Sequence, residues 1–272
     1  METEIKGLRL YQIPSFNATG LVTHGFTSRH GGWGGFPYAS LNTALHVGDR
    51  AETVLANRAI VCQALGLNPA DLVAGQQVHG ADVHFVTAAE RGRGATSYAD
   101  ALPDTDALVT KETGTPIVSF YADCVPVFLL DPARGVVALV HAGWKGTAAK
   151  ICRKTVREMQ ARYGVEPSDL LAGVGPSIGP CCYEVGADVA VHFREGLFPP
   201  PVLRKKPQAD KWFLDLGQAN RAVLLEAGLL WEKITLAGLC TACRQDVFFS
   251  YRAEAGVTGR MCSLIMLKQG RT

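Results

Sequence analysis

A cysteine and a histidine flanking one turn are the clearest chemical pairing in this chain. Cys124 precedes the apolar run Val125-Pro126-Val127-Phe128-Leu129-Leu130, and His141 follows Gly135-Val136-Val137-Ala138-Leu139-Val140. Asp131-Pro132-Ala133-Arg134-Gly135 between them is turn chemistry, so the two runs are expected to fold back as an antiparallel hairpin. The midpoint of positions 124 and 141 falls inside that turn. Pairing about it brings both residues to one end of the hairpin, where directly opposed Cβ atoms lie about 5 Å apart. A thiolate and an imidazole at that spacing can share a metal or hydrogen-bond each other. The small residues around them, in Ala122-Asp123-Cys124 and His141-Ala142-Gly143-Trp144-Lys145-Gly146, let a ligand approach the backbone. A third partner separates metal ligation from a nucleophilic dyad. His79 in Gln77-Val78-His79-Gly80 is the strongest candidate and His84 the nearest competitor, and spacing alone does not choose between them.

The elements that must position these residues are legible in outline. Both hairpin runs are nearly continuous in apolar residues, the mark of strands covered on both faces. Further strands are expected over 116–121, 170–174, 234–239 and 262–267, and the residues around His79 also read as strand. One helix starts at a capping box of Asp49 and Glu52, buries Val54, Leu55, Val61 and Leu65, and stops at Gly66. A second runs over 147–163 with Ile151, Cys152, Val156 and Met159 inward and Gly164 as its stop; a third covers 217–227. The glycine-rich stretch ending in Gly31-Gly32-Trp33-Gly34-Gly35 reads as a flexible surface connection, and Phe198-Pro199-Pro200-Pro201 through Pro207 as a surface excursion. The basic runs 91–93 and 204–206 read as solvated loops. No internal repeat is visible, so the expectation is one α/β-type domain over 1–272 with mixed sheets.

Composition bounds the rest. With 272 residues, 47% hydrophobic and 19% charged, the chain can bury a sizeable core, which excludes intrinsic disorder. A net charge of +2 without clustered Lys and Arg gives no footprint for nucleic acid or a membrane surface. Met1-Glu2-Thr3-Glu4 lacks the basic start of a signal peptide, and no apolar run approaches the ~18 residues of a membrane span. A cytoplasmic address is expected. In that reducing compartment the eight cysteines are not read as four disulfides. Cys240-Thr241-Ala242-Cys243 is a lone C-x-x-C with no second pair in suitable spacing and is expected to pack, not to bind zinc. The adjacent Cys181 and Cys182 are not expected both to face one site.

Several motifs together resemble one family. Ser40-Leu41-Asn42, Val47-Gly48-Asp49, Gln77-Val78-His79-Gly80, Ala122-Asp123-Cys124-Val125-Pro126-Val127 and His141-Ala142-Gly143-Trp144-Lys145-Gly146 occur in that order. They are followed by Gly175-Pro176, Cys182-Tyr183-Glu184-Val185, Cys240-Thr241, Phe248-Phe249-Ser250-Tyr251-Arg252 and Thr258-Gly259-Arg260. This pattern is similar to the laccase-domain family, also called polyphenol oxidase or the purine nucleoside phosphorylase type. The resemblance implies an α+β fold, layered α/β/β/α with mixed sheets, whose core is also seen in cysteine-dependent toxins. It implies a zinc ion, or copper, held by His79, Cys124 and His141. It implies phosphorolysis of adenosine, inosine, guanosine and methylthioadenosine, and adenosine deamination, with purine nucleosides and phosphate as partners of a monomer or small homo-oligomer. Arg29, Asn42, Gln77, Lys145, Cys182 and Arg252 are the corresponding substrate-side positions, with Arg260 beside them. Lys145 stands where many members have Arg, and Ala253 where a second Arg is common, which alters anion binding because an ammonium cannot replace a bidentate guanidinium. Alternatives are a hydrolase or editing enzyme for a peptidoglycan precursor, a copper polyphenol oxidase, a metal-free Cys124–His141 dyad, and a structural metal without catalysis. Seven histidines without a His-x-His pair are too few for a four-copper oxidase cluster.

Three His₂Cys ligands suit a four-coordinate zinc with one position left for water, the layout of a catalytic site. Asp123 and Glu184 are the candidate proton-shuttling carboxylates. On a regular strand the Asp123 side chain would face away from Cys124 and brace the loop instead. The turn 143–146 before a helix, with Lys145, is a candidate anion site, and Trp144 or Phe249 a candidate platform for a purine.

Overall fold

In chain order the first strands are β1 (Glu2–Ile5), β2 (Leu8–Tyr11), β3 (Val22–Thr27), β4 (Val73–Ala74), β5 (Val83–Phe85), β6 (Ala107–Thr110) and β7 (Ile117–Tyr121). They continue with β8 (Val125–Asp131), β9 (Val136–Ala142), β10 (Leu171–Val174), β11 (Glu184–Val185), β12 (Leu203–Lys205), β13 (Trp212–Leu214), β14 (Ile234–Leu236) and β15 (Met261–Leu267). The helices are α1 (Pro14–Thr19), α2 (Ala51–Leu65), α3 (Trp144–Ala148), α4 (Ile151–Tyr163), α5 (Ala187–Ala190) and α6 (Leu216–Glu226). This computed structural model describes residues 1–194, 198 and 202–269; Pro199, Pro200 and Pro201 of the Pro-rich stretch lie outside them.

Two six-stranded sheets dominate. One has the order β1-β2-β3-β15-β7-β4 and the other β14-β10-β8-β9-β6-β5; β11-β13-β12 make a small third sheet. Both large sheets mix parallel and antiparallel pairs. Every residue of β8 and β9 is buried, and the alternation of their side chains separates two layers of core. Val127, Leu129, Ala138 and Val140 pack with Ile151, Val156 and Met159 of α4 and Val223 of α6. Their neighbours Phe128, Leu130, Val137 and Leu139 pack instead against Phe26, Ile117, Tyr121 and Ile265 of the other sheet. A third cluster joins that sheet's far face, through Leu10, Val118, Phe120 and Leu264, to Val61 and Cys62 of α2. The order is therefore helix, sheet, sheet, helix, as the resemblance implies.

Local expectations differ in five places. Asp49 forms no capping box, because its carboxylate accepts from Asn42 Nδ2 at 2.9 Å and the Arg50 N–H at 2.8 Å; Arg50 is the cap residue. The buried face of α2 includes Asn57 and Arg58, whose side chains donate to loop carbonyls of Ser40, Asn42, Thr43, Gly94 and Ala95. The helix expected over 147–163 is two helices, since Lys150 between α3 and α4 takes φ +57°. The glycine-rich stretch is no free connection: residues 23–27 lie on β3, and a Cβ on Gly32 would sit 2.4 Å from the Ser40 carbonyl oxygen. Arg204 and Lys205 lie on β12, their cationic ends 4.9 and 5.8 Å from the rings of Phe213 and Trp212.

Candidate metal centre

The hairpin delivers its two ligands by a diagonal, not a direct pairing. Pro126 pairs with His141 and Val125 with Ala142, so Cys124 lies one step beyond the ladder on the same face as His141. The turn sets this offset. Asp131 pairs with Val136, and its Oδ1 accepts the N–H groups of Ala133 and Arg134, both at 2.9 Å, which fits four residues into the loop. Both ligands leave on the face between the sheets, where Cys124 packs against the inter-sheet core and the His141 ring lies 5.4 Å from that of Tyr121.

His79 arrives from a loop and not from a strand. It has φ +61°, and the residues around it curl over one carboxylate. Asp106, just before β6, accepts the N–H groups of Val78 (3.2 Å), His79 (3.1 Å) and Gly80 (2.7 Å). Its Oδ1 also meets His141 Nδ1 at 2.7 Å. One buried side chain thus places two ligands, and it leaves His141 Nε2 free to face His79 and Cys124. A Cβ on Gly143 would stand 3.0 Å from His79 Cδ2 and 3.2 Å from Cys124 Sγ, so a glycine is required where the two ligands meet the turn into α3.

The ligand atoms of His79, Cys124 and His141 all lie within 4.8 Å of one another, with His79 exposed, Cys124 half-buried and His141 buried. Burial pushes the Cys124 thiol up, but the His141 and His79 rings more than offset this and hold it below its ordinary range. Burial pushes His141 down, while the Cys124 sulfur and the Asp106 carboxylate outweigh it and raise the imidazole. Burial opposes ionisation of Asp106 too, yet the His141 ring and the amides of Gly80 and Val78 keep its carboxyl low. Both shifts favour a thiolate beside a protonated imidazole, and a cation can take the place of that proton. The donor set of two imidazoles and one thiolate, with His141 oriented by a carboxylate, fits a divalent metal.

The three groups open into a cavity of about 490 Å³, within the usual range for small-molecule sites. Of the substrate-side positions, Gln77 and Arg252 line it, joined by Arg260 and Trp144. Gln77 pairs its amide with the backbone of Phe120 at 2.8 and 3.0 Å. Arg252 donates to the Glu184 carbonyl at 2.8 Å and lies over the Tyr183 ring. Asp123 also lines the cavity, but φ +84° takes it off any regular strand. Its oxygens accept from Thr241 Oγ1 at 2.6 Å and the Arg252 N–H at 2.7 Å.

Other positions stand back from the cavity. Arg29 is bound to Glu254, the Ala39 carbonyl and the Gln245 carbonyl. Asn42 is buried and accepts the Arg260 N–H at 2.9 Å. Lys145 is exposed, Glu184 pairs with Lys206 at 2.6 Å, and Phe249 lies buried beneath Arg29. His84 pairs with Glu90 at 2.6 Å. Cys182 meets Cys243, its sulfur 3.3 Å away. Asp106, and His46 of the cavity wall, fall in no motif of the sequence, whereas Tyr183 and Tyr251 of that wall lie inside the family motifs around Cys182 and Arg252 but had no role assigned to them. The only local sign of Asp106 is an acid directly before an apolar run.

Residues 23–268 match the family model described as multi-copper polyphenol oxidoreductase laccase. The chain belongs to this family. Among curated laccase-family relatives, the "Purine nucleoside phosphorylase YlmD" of Geobacillus stearothermophilus is 42% identical over 89% of this chain and 88% of its own. The "Adenosine deaminase RL5" of an unknown prokaryotic organism is 37% identical over 82% of this chain and 85% of its own. The crystal structure of YlmD from Geobacillus stearothermophilus superposes with a TM-score of 0.92 at 38% identity, covering 98% of both chains. The laccase-family fold thus extends over nearly the whole chain.

Proposed function

We propose that this laccase-family chain is a zinc-dependent purine nucleoside phosphorylase acting on adenosine, inosine, guanosine and methylthioadenosine, with adenosine deamination as a second activity. The observation that carries the reading is the His79, Cys124 and His141 cluster, oriented by Asp106 and facing a cavity that also holds two guanidinium groups. Relatives named for both activities support it. A zinc ion held by the three ligands supplies Lewis acidity and brings a water's pKa toward neutrality. Arg252 and Arg260 offer the positive charge that an incoming phosphate needs. Tyr183, Tyr251, Trp144 and Phe120 give the cavity flat apolar faces for a purine. Asp123 is the single carboxylate among the described lining residues. Because both its oxygens accept hydrogen bonds, it acts as a positioning residue that holds the Arg252 backbone.

The test is metal analysis of purified protein followed by assay of free base released from each nucleoside with and without phosphate. Phosphate-dependent release is expected. Metal-loaded protein that leaves all four nucleosides intact overturns the reading, and phosphate-independent cleavage of a nucleotide-linked muramyl amino acid would replace it with the hydrolase alternative. Alkylation of Cys124 that proceeds equally fast before and after chelation would favour the metal-free dyad.

A further inference from the structure

Four cysteines, three of them expected to pack and Cys182 expected on the substrate side, converge on one spot. Cys181 and Cys182 lie in the loop that follows β10, and Cys240 and Cys243 in the loop that follows β14. The two strands pair in parallel, and a bridge between Ser177 and Cys240 carries the pairing past their ends, so both loops leave the sheet at the same edge. All four sulfurs lie within 4.8 Å of one another, and Cys243 Sγ is 3.4 Å from that of Cys181 and 3.3 Å from that of Cys182. The Cys-Cys step turns both side chains toward the C-x-x-C turn, which the sequence expectation did not allow.

We propose that Cys181, Cys182, Cys240 and Cys243 form a second metal centre, a closed tetrathiolate zinc site that clamps the β10 and β14 loops together. Zinc–sulfur bonds of about 2.3 Å in a tetrahedron place the sulfurs about 3.8 Å apart. Cys243 Sγ, 3.4 and 3.3 Å from its two neighbours, stands somewhat inside that value and well beyond the roughly 2.05 Å of a disulfide, and the other pairs lie within 4.8 Å. All four cysteines are free thiols. An N–H group already points at one sulfur: Gly179 donates to Cys240 Sγ at 3.2 Å, the backbone contact that stabilises a thiolate. The all-sulfur donor set selects zinc or another soft metal, and four protein ligands leave no position for water, so the centre is structural. Assembly requires no oxidant: four thiols release their protons to solvent and four metal–sulfur bonds form. Cys181 and Cys243 are exposed, which gives the ion an entry path.

The clamp sits behind the cavity wall. Ile178 and Tyr183, which flank the first cysteine pair, line the cavity. Thr241, inside the C-x-x-C, donates to Asp123, and Arg252 donates to the Glu184 carbonyl. The ion therefore fixes groups that shape the substrate side without touching substrate.

Protein purified from zinc-supplemented cells under reductant is expected to carry two zinc ions per chain by mass spectrometry. Cys243→Ser and Cys182→Ser should each leave one, His79→Ala should leave one, and His79→Ala combined with Cys243→Ser none. If the cysteine variants do not fold, cobalt titration of Cys124→Ala decides, because only a tetrathiolate site then yields intense sulfur-to-cobalt charge-transfer bands. A single zinc that His79→Ala removes and Cys243→Ser leaves in place overturns the proposal, as does a disulfide that persists under reductant, or a Cys124→Ala protein without those bands.

Discussion

Asp106 shows how much of a candidate metal site lies in a residue outside the ligand set. Its carboxylate holds three consecutive amides of the His79 loop and the Nδ1 of His141. Asp106→Asn keeps the size of the side chain but removes the charge that fixes the ring, and second-sphere losses of this kind weaken metal binding by about 10–100-fold. Competition with a chromophoric chelator should read that change. His79→Ala should abolish metal binding at this site, whereas His84→Ala should not alter it, because His84 is engaged with Glu90; equal metal loss in both variants would reverse the assignment. The convergence of Cys124 and His141 was legible in the hairpin, and that of His79 with them in the family motifs. Asp106 was not, because it lies 35 residues from His141 in sequence and only the pairing of β6 with β9 makes them neighbours. The four surface cysteines escaped for the same reason: parallel pairing of β10 and β14 joins them, and local spacing carries no trace of it.

At the scale of elements, the apolar runs announced β8 and β9, but not their register. The aspartate-anchored turn shifted the pairing and made Cys124 a diagonal neighbour of His141. The step from β9 into α3 is equally exacting. Gly143 has φ −68° and ψ 175°, an extended conformation open to any residue, so a substitution there acts through space alone. Gly143→Val would push its side chain into His79 and Cys124, whose nearest atoms already lie 3.0 and 3.2 Å from a Cβ position. The expected outcome is weaker metal binding, by at least 10-fold, with the metal-free protein melting within a few degrees of the parent. Calorimetry of metal-free and metal-loaded protein separates the two effects; a large loss of stability in the metal-free form would show that the turn itself had failed.

For the whole molecule, the continuous apolar runs of β8 and β9 announced a sheet covered on both faces, whereas the order of the four layers came from the family resemblance. The inter-sheet layer also holds a titratable group with a defined pH signature. His24 is 1% exposed, its Nε2 accepts the Ile13 N–H at 2.8 Å, and burial, then the nearby Lys268, lowers its pKa to about 4. Between about 4 and the ordinary value of 6.5 the unfolded chain binds a proton here that the folded one does not. Stability present above pH 6.5 is therefore lost as pH falls toward 4, by up to about 1.4 kcal/mol per unit. His24→Gln, which keeps an acceptor but does not titrate, should flatten that slope in urea unfolding measured across the range; an unchanged slope would assign it to other groups. The unequal burial of the three metal ligands has a kinetic counterpart. His141 lies on β9 and Cys124 just before β8, two strands buried throughout, whereas His79 is exposed on a loop, the kind of segment in which local opening is less costly. An ion would then leave through His79 while the fold stays closed. Isotopic metal exchange should quicken in Asp106→Asn and hold its rate in Leu139→Ala, a core change that lowers stability by about 2–5 kcal/mol. Residence time of the ion and durability of the fold are, in this molecule, separately adjustable.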